Sequence, residues 1–106
     1  VAISTQVLDT RTGSPAGGVA VRLDVHLEAG WLELASAITD QDGWVQQLPA
    51  PSASGVVRLV FDTGAYLGGQ TFYPEVTITF RVDDVGQYVH VPLLLSPYAY
   101  TTYRGS

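Results

Sequence analysis

The sequence predicts an all-β fold, an antiparallel sandwich of about eight short strands with one short helical turn, and three observations carry that prediction. Side chains alternate across a strand, so apolar residues at every second position mark one. Val19, Val21, Leu23, Val25 and Leu27, set against Arg22, Asp24, His26 and Glu28, form the cleanest such run. Turn-forming clusters break the chain at near-regular intervals: DTRTGSPAGG at 9–18, DQDG at 40–43 and PAPSASG at 49–55. That spacing belongs to a sandwich rather than to alternating strands and helices. Glycines at 64, 68 and 69 hold any helix between 63 and 71 to one turn around Ala65, Tyr66 and Leu67.

In chain order, Val1 to Leu8 reads as a strand whose Val1, Ile3, Thr5 and Val7 face the core. Residues 9–18 form a loop. Val19 to Glu28 follows, with its polar set, Asp24 and His26 included, directed to water. Ala29-Gly30 supplies a hairpin turn, glycine adopting positive φ, and Trp31 to Thr39 returns. Asp40 to Gly43 makes a tight turn before the short strand Trp44 to Leu48. Pro49 to Gly55 is too rich in proline to hold a ladder. Val56 to Asp62 is a further strand, and Val76, Ile78, Phe80 and Val82 alternate with Thr77, Thr79, Arg81 and Asp83 in the next.

Asp84 to Gly86 then turns the chain into a C-terminal pair broken at Ser96-Pro97. In the first member Val89, Val91 and Leu93 oppose Tyr88, His90, Pro92 and Leu94. In the second, Tyr98 to Arg104, Tyr98 and Tyr100 oppose Ala99 and Tyr103. An antiparallel sheet with one wet face shows polar residues on that side, and neither of these strands does. A second covered surface is therefore expected, most economically another subunit, with His90 on the face between them.

The 106 residues suit one domain, 1–106, with one core. Hydrophobic residues make up 46% and charged ones only 14%, a balance that favours burial against copies of the same chain. A net charge of -5 without any lysine argues against nucleic acid or an anionic membrane as partner. The absence of cysteine excludes disulfides, thiol chemistry and thiolate-bound metal. No apolar run approaches the ~20 residues that span a bilayer. The chain begins at Val1 with no signal-peptide pattern. The expectation is a cytoplasmic protein, or a periplasmic one if an upstream segment has been removed.

His90 is the foremost candidate for chemistry, because an imidazole near its ordinary pKa exchanges a proton with water at neutral pH. On the residues alone, a packed interface histidine is the more economical reading. His26 lies between Asp24 and Glu28, too loose a set to specify a metal, and reads as a surface residue. Asp40 and Asp42 lack the remaining ligands of a calcium loop and read as a turn. No metal or cofactor site is expected. Arg104 is the one cation of the C-terminal stretch. It precedes Gly105, whose missing side chain lets the backbone approach a ligand, and Ser106 ends the chain.

HVPLLLSPYAYTTYRGS at the C-terminus, STQVLDTRTGSPAGGVAV near the start, TDQDGW and FYPEVTITF together resemble the transthyretin-related 5-hydroxyisourate hydrolases. The tetrapeptide Tyr103-Arg104-Gly105-Ser106 matches the one that separates those enzymes from transthyretin. The resemblance implies a transthyretin-like (prealbumin-like) sandwich and a homotetramer, a dimer of dimers. It also implies an intersubunit channel that takes a small flat heterocycle. It gives His90 a catalytic role and places Tyr103 to Ser106 along the channel. Two positions depart from the pattern: the family's first-strand histidine is Gln6, and the arginine after its Asp-x-Asp-Gly turn is Trp44. A weak or lost hydrolase is expected, with a non-catalytic binding tetramer analogous to transthyretin as the alternative.

Overall fold

Among the described residues nine strands build two stacked sheets, joined by one helical turn: β1 (Ala2–Asp9), β2 (Ser14–Pro15), β3 (Ala20–Leu27), β4 (Gly30–Ile38), β5 (Trp44–Pro49), β6 (Gly55–Phe61), α1 (Thr63–Leu67), β7 (Val76–Val82), β8 (Val89–Leu95) and β9 (Tyr100–Thr102). The computed structural model describes residues 2–69 and 71–105. One sheet runs β2-β1-β8-β9 with β5 paired to β1, and the other runs β4-β3-β6-β7. Their facing sides bury Ile3, Val7, Val21, Leu23, Val57, Leu59, Phe61, Val76, Leu93 and Leu95, the inward sets of the alternating runs. The all-β sandwich with one short helical turn expected from the sequence is the fold of the described residues.

Sequence alternation reads the strands well and their neighbours poorly. β1 and β8 pair in parallel, with Ser4 opposite His90 and Gln6 opposite Pro92, whereas the other pairs are antiparallel. Parallel partners need a long crossover, and here β2 to β7, divided between the two sheets, lie between β1 and β8. The expected loop 9–18 contains β2, which pairs with Leu8 and Asp9. The hairpin expected at Ala29-Gly30 turns at Glu28-Ala29 instead, because Gly30 pairs with Leu27 as the first residue of β4, at φ 126°. The final strand is shorter than Tyr98 to Arg104, spanning three residues. Tyr100 leaves the outer face to meet Tyr73 edge-on, with ring centres 5.2 Å apart.

Two side chains of β3 contradict simple alternation. Leu27 was expected inside but is exposed at the strand's end. Asp24 was expected in water but is buried, just after a register shift between Leu23 and Asp24. Its Oδ1 accepts from Arg22 Nε at 2.9 Å. Its Oδ2 accepts from Arg22 Nη2 at 3.0 Å and from Arg58 Nε at 2.8 Å. A buried carboxylate persists only when paired, and its second cation comes from the adjoining strand, which a reading along one strand does not see. Arg58 in turn lies 4.2 Å over the Trp31 ring, a cation–π contact.

Local capping places the remaining elements. Asp62 accepts a hydrogen bond from Ala65 N at 3.2 Å and starts α1, and Gly68 at φ 77° ends it. The 40–43 turn closes on Asp40, whose Oδ1 accepts from Asp42 N at 2.9 Å and Trp44 N at 3.0 Å. Gly43, at φ 79°, packs against the Val7 carbonyl so closely that no Cβ fits there. This turn delivers Trp44 onto β5 directly opposite Gln6.

Candidate functional site

Three strands of one sheet converge on His90. Because Ser4 and Gln6 are two residues apart on β1, both project from the same face. The parallel register puts His90 of β8 beside Ser4, and the antiparallel register puts Trp44 of β5 beside Gln6. The Trp44 indole stacks on the His90 imidazole, with centres 4.7 Å apart and planes inclined by 23°. Ser4 Oγ lies 2.7 Å from His90 Nδ1, and Ser4 is fully buried. The Gln6 amide donates to the Asp42 carbonyl at 3.2 Å, which ties this side chain to the turn that carries Trp44.

The C-terminal tail supplies the fourth side. Gly105 N–H donates to the His90 carbonyl at 2.8 Å. A Cβ at position 105 would stand 2.7 Å from His90 Cδ2 and 3.1 Å from that carbonyl, so only glycine brings the tail this close. Arg104 Nη2 donates to Gln87 Oε1 at 3.4 Å. Tyr103 and Arg104 line a cavity of about 230 Å³ at the sandwich edge, together with Ile78, Phe80, Val89 and Val91. Ser106 lies outside the described residues.

Burial pushes the His90 pKa below the ordinary histidine value, and the Ser4 main chain pulls weakly the other way. The imidazole is therefore neutral at neutral pH. Indole, carboxamide, hydroxyl and imidazole together offer a stacking surface and several hydrogen-bonding groups, with no full charge among them.

Of the residues singled out in the sequence, Gln6, Trp44, His90 and Gly105 come together, while Tyr103 and Arg104 sit along the neighbouring edge. Sequence reasoning missed Ser4. Its place two residues before Gln6 was a signal, but its partner depended on a parallel pairing that no local pattern encodes. His26 stands on the other sheet, edge-on to Trp31 with centres 4.9 Å apart. Among the described residues no group of three or more His, Asp or Glu side chains is placed to hold a metal. No helix among them is long and apolar enough to cross a membrane.

A two-sheet sandwich of this topology, carrying a histidine on the outer face of one sheet beside the tail, defines a small β-protein of the transthyretin kind. Residues 3–105 match the family model described as HIUase/Transthyretin family, and the chain belongs to that family. It is 46% identical over 112 residues to the 5-hydroxyisourate hydrolase of Mus musculus, an alignment covering 98% of this chain and 94% of the mouse protein. Sea bream transthyretin in complex with thyroxine superposes with a TM-score of 0.91 at 31% identity, over 99% of this chain and 95% of that one. The Klebsiella pneumoniae 5-hydroxyisourate hydrolase superposes at 0.83 and 34% identity over the full length of both.

Proposed function

We propose that this chain forms a homotetramer that takes a flat heterocycle of the 5-hydroxyisourate kind into an intersubunit channel, with ring-opening hydrolysis that is weak or lost. The observation that carries this reading is the stack of Trp44 on His90, with Gln6 on the neighbouring strand. Opening such a ring requires water to attack a carbonyl, a base to take the water's proton, and charge or hydrogen bonds to hold the developing oxyanion. Gln6 orients a water or a carbonyl but accepts no proton near neutrality. Trp44 offers one N–H and an apolar face.

Loss of a general base lowers rates by about 10²–10⁴, and loss of an electrostatic stabiliser by roughly 10²–10³, without simple additivity. The family's substrate also decays unaided, so a loss of that size leaves little above background. The Trp44 face stacks on a flat ring, Gly105 abuts the imidazole, and Tyr103 and Arg104 line the neighbouring edge cavity. Assembly is supported by the tyrosines left exposed at 88, 98 and 103 around β8 and β9, an aromatic surface unusual for a lone small domain. The second reading is a binding tetramer without chemistry, supported by the uncharged stack of Trp44 on His90 and by the fold shared with the thyroxine-bound sea bream transthyretin.

The test follows ultraviolet decay of 5-hydroxyisourate made in situ by urate oxidase, with and without the protein. Wild type is expected to stay near the unaided rate, and Gln6→His with Trp44→Arg to accelerate decay by at least tenfold. Wild-type acceleration comparable to the mouse or Klebsiella enzyme overturns the impaired-site reading. A double variant without activity overturns the placing of Gln6 and Trp44 in one site with His90. Sedimentation of a lone monomer removes the channel.

A further inference from the structure

We infer that Ser4 is a positioning residue that sets the tautomer of His90, holding the proton on Nε2 so that the neutral ring offers its ligand a donor rather than a base. Ser4 is completely buried, and its Oγ lies 2.7 Å from His90 Nδ1. Among the described residues that nitrogen is the one hydrogen-bond partner of the Ser4 hydroxyl. A hydroxyl has one proton to place. If Nδ1 carried the ring proton and Ser4 accepted it, the serine's own hydrogen would be stranded in a dry site. Stranding a buried donor shifts an equilibrium by about tenfold or more. If Ser4 donates to Nδ1 instead, the hydroxyl and Nδ1 are both satisfied, and the ring proton then resides on Nε2.

The surroundings keep the ring in this pose. Trp44 covers one face of the imidazole, and Gly105 abuts the Cδ2 edge. A second-neighbour contact that fixes which ring nitrogen is protonated is a general device for histidine function. Here it selects ligands that bring an acceptor, such as the carbonyl oxygen of a flat amide-bearing ring, to Nε2–H. The bearing on ring opening rests on the functional reading above: with Gln6 in β1 and His90 held as a donor, neither residue takes the proton of an attacking water. The tautomer itself is independent of that reading and is measured without substrate.

The experiment is long-range ¹H–¹⁵N spectroscopy of the neutral imidazoles in the intact protein, with His26→Gln assigning the signals of the two histidines. For His90 the expected result is an unprotonated Nδ1 and a protonated Nε2 in wild type and in Ser4→Thr, which keeps the hydroxyl. Ser4→Ala is expected to shift both nitrogens toward the average of two exchanging tautomers. Protonated Nδ1 in wild type overturns the proposal, as does a Ser4→Ala spectrum identical to wild type. If Ser4→Ala does not fold, neutron diffraction from wild-type crystals decides. Deuterium on Ser4 Oγ and His90 Nε2 supports the assignment, and deuterium on Nδ1 overturns it. Ring-opening activity restored by Gln6→His with Trp44→Arg is a separate outcome that either tautomer permits.

Discussion

Replacing Gly105 by alanine tests the docking of the tail with the least disturbance elsewhere. The added methyl would sit 2.7 Å from His90 Cδ2 and 3.1 Å from the His90 carbonyl oxygen, well inside the ~3.5–4.0 Å at which carbon atoms pack. Neither obstacle yields easily: one is backbone, and the other is a ring held by Ser4 and stacked on Trp44. The tail is the free partner, so it retreats. Retreat by several tenths of an ångström breaks the 2.8 Å hydrogen bond from residue 105 to the His90 carbonyl, a net loss of about 0.5–1.5 kcal/mol. That loss falls on the tail and not on the core, since β8 keeps its pairing to β1. Amide exchange at residue 105 should therefore quicken by roughly three- to tenfold, and the His90 Cδ2–H resonance should move, while the melting temperature stays within about 3 °C. An unchanged exchange rate and an unmoved ring resonance would refute the close approach of tail and imidazole.

Gly43→Ala should act on the whole fold. It combines positive φ with a clash against the Val7 carbonyl and is expected to lower stability by at least about 2 kcal/mol, visible as a melting point depressed by ~10 °C. Asp24→Asn should remove about 2–3 kcal/mol at pH 7 in a denaturant titration, less than for a fully buried pair because both arginines are partly exposed. Burial alone would raise the Asp24 pKa, but hydrogen bonds from Arg22 and Arg58 outweigh it and hold the carboxyl below 3.8. A depressed folded-state pKa contributes stability that is complete above the unfolded value and lost as pH falls through the folded one. The difference between wild type and Asp24→Asn should thus be constant above pH 5 and shrink in acid below 3.8; a gap unchanged in acid would contradict the pairing. In a Trp31→Phe background, Trp44 fluorescence should report protonation of the stacked His90, with a quenching midpoint below the ordinary 6.5. A midpoint at or above that value would mean the ring is solvated.

Legibility differed between fold and site for physical reasons. Alternation and turn chemistry are local, and they located the principal strands, the single helical turn at Ala65 to Leu67 and the Asp40 to Gly43 turn. The residues outside local order were harder. Asp24 reads as a solvent-facing carboxylate because its neighbours in the chain are all one can inspect, yet Arg58, 34 positions away, is what permits its burial. Tyr100 reads as part of an outward aromatic strand, but its ring turns to Tyr73.

By itself the sequence determined the principal strands, most of the residues that line the core and, through resemblance, which positions depart from a hydrolase pattern at Gln6 and Trp44. Only the tertiary structure decided that Ser4 meets His90 across 86 positions, that Trp44 lies flat on that ring, and that the tail needs glycine at 105. Strand formation depends on side-chain periodicity within a few residues. The site depends on the register of a parallel pair and on two antiparallel neighbours, contacts whose geometry exists only once both sheets have closed around a common core.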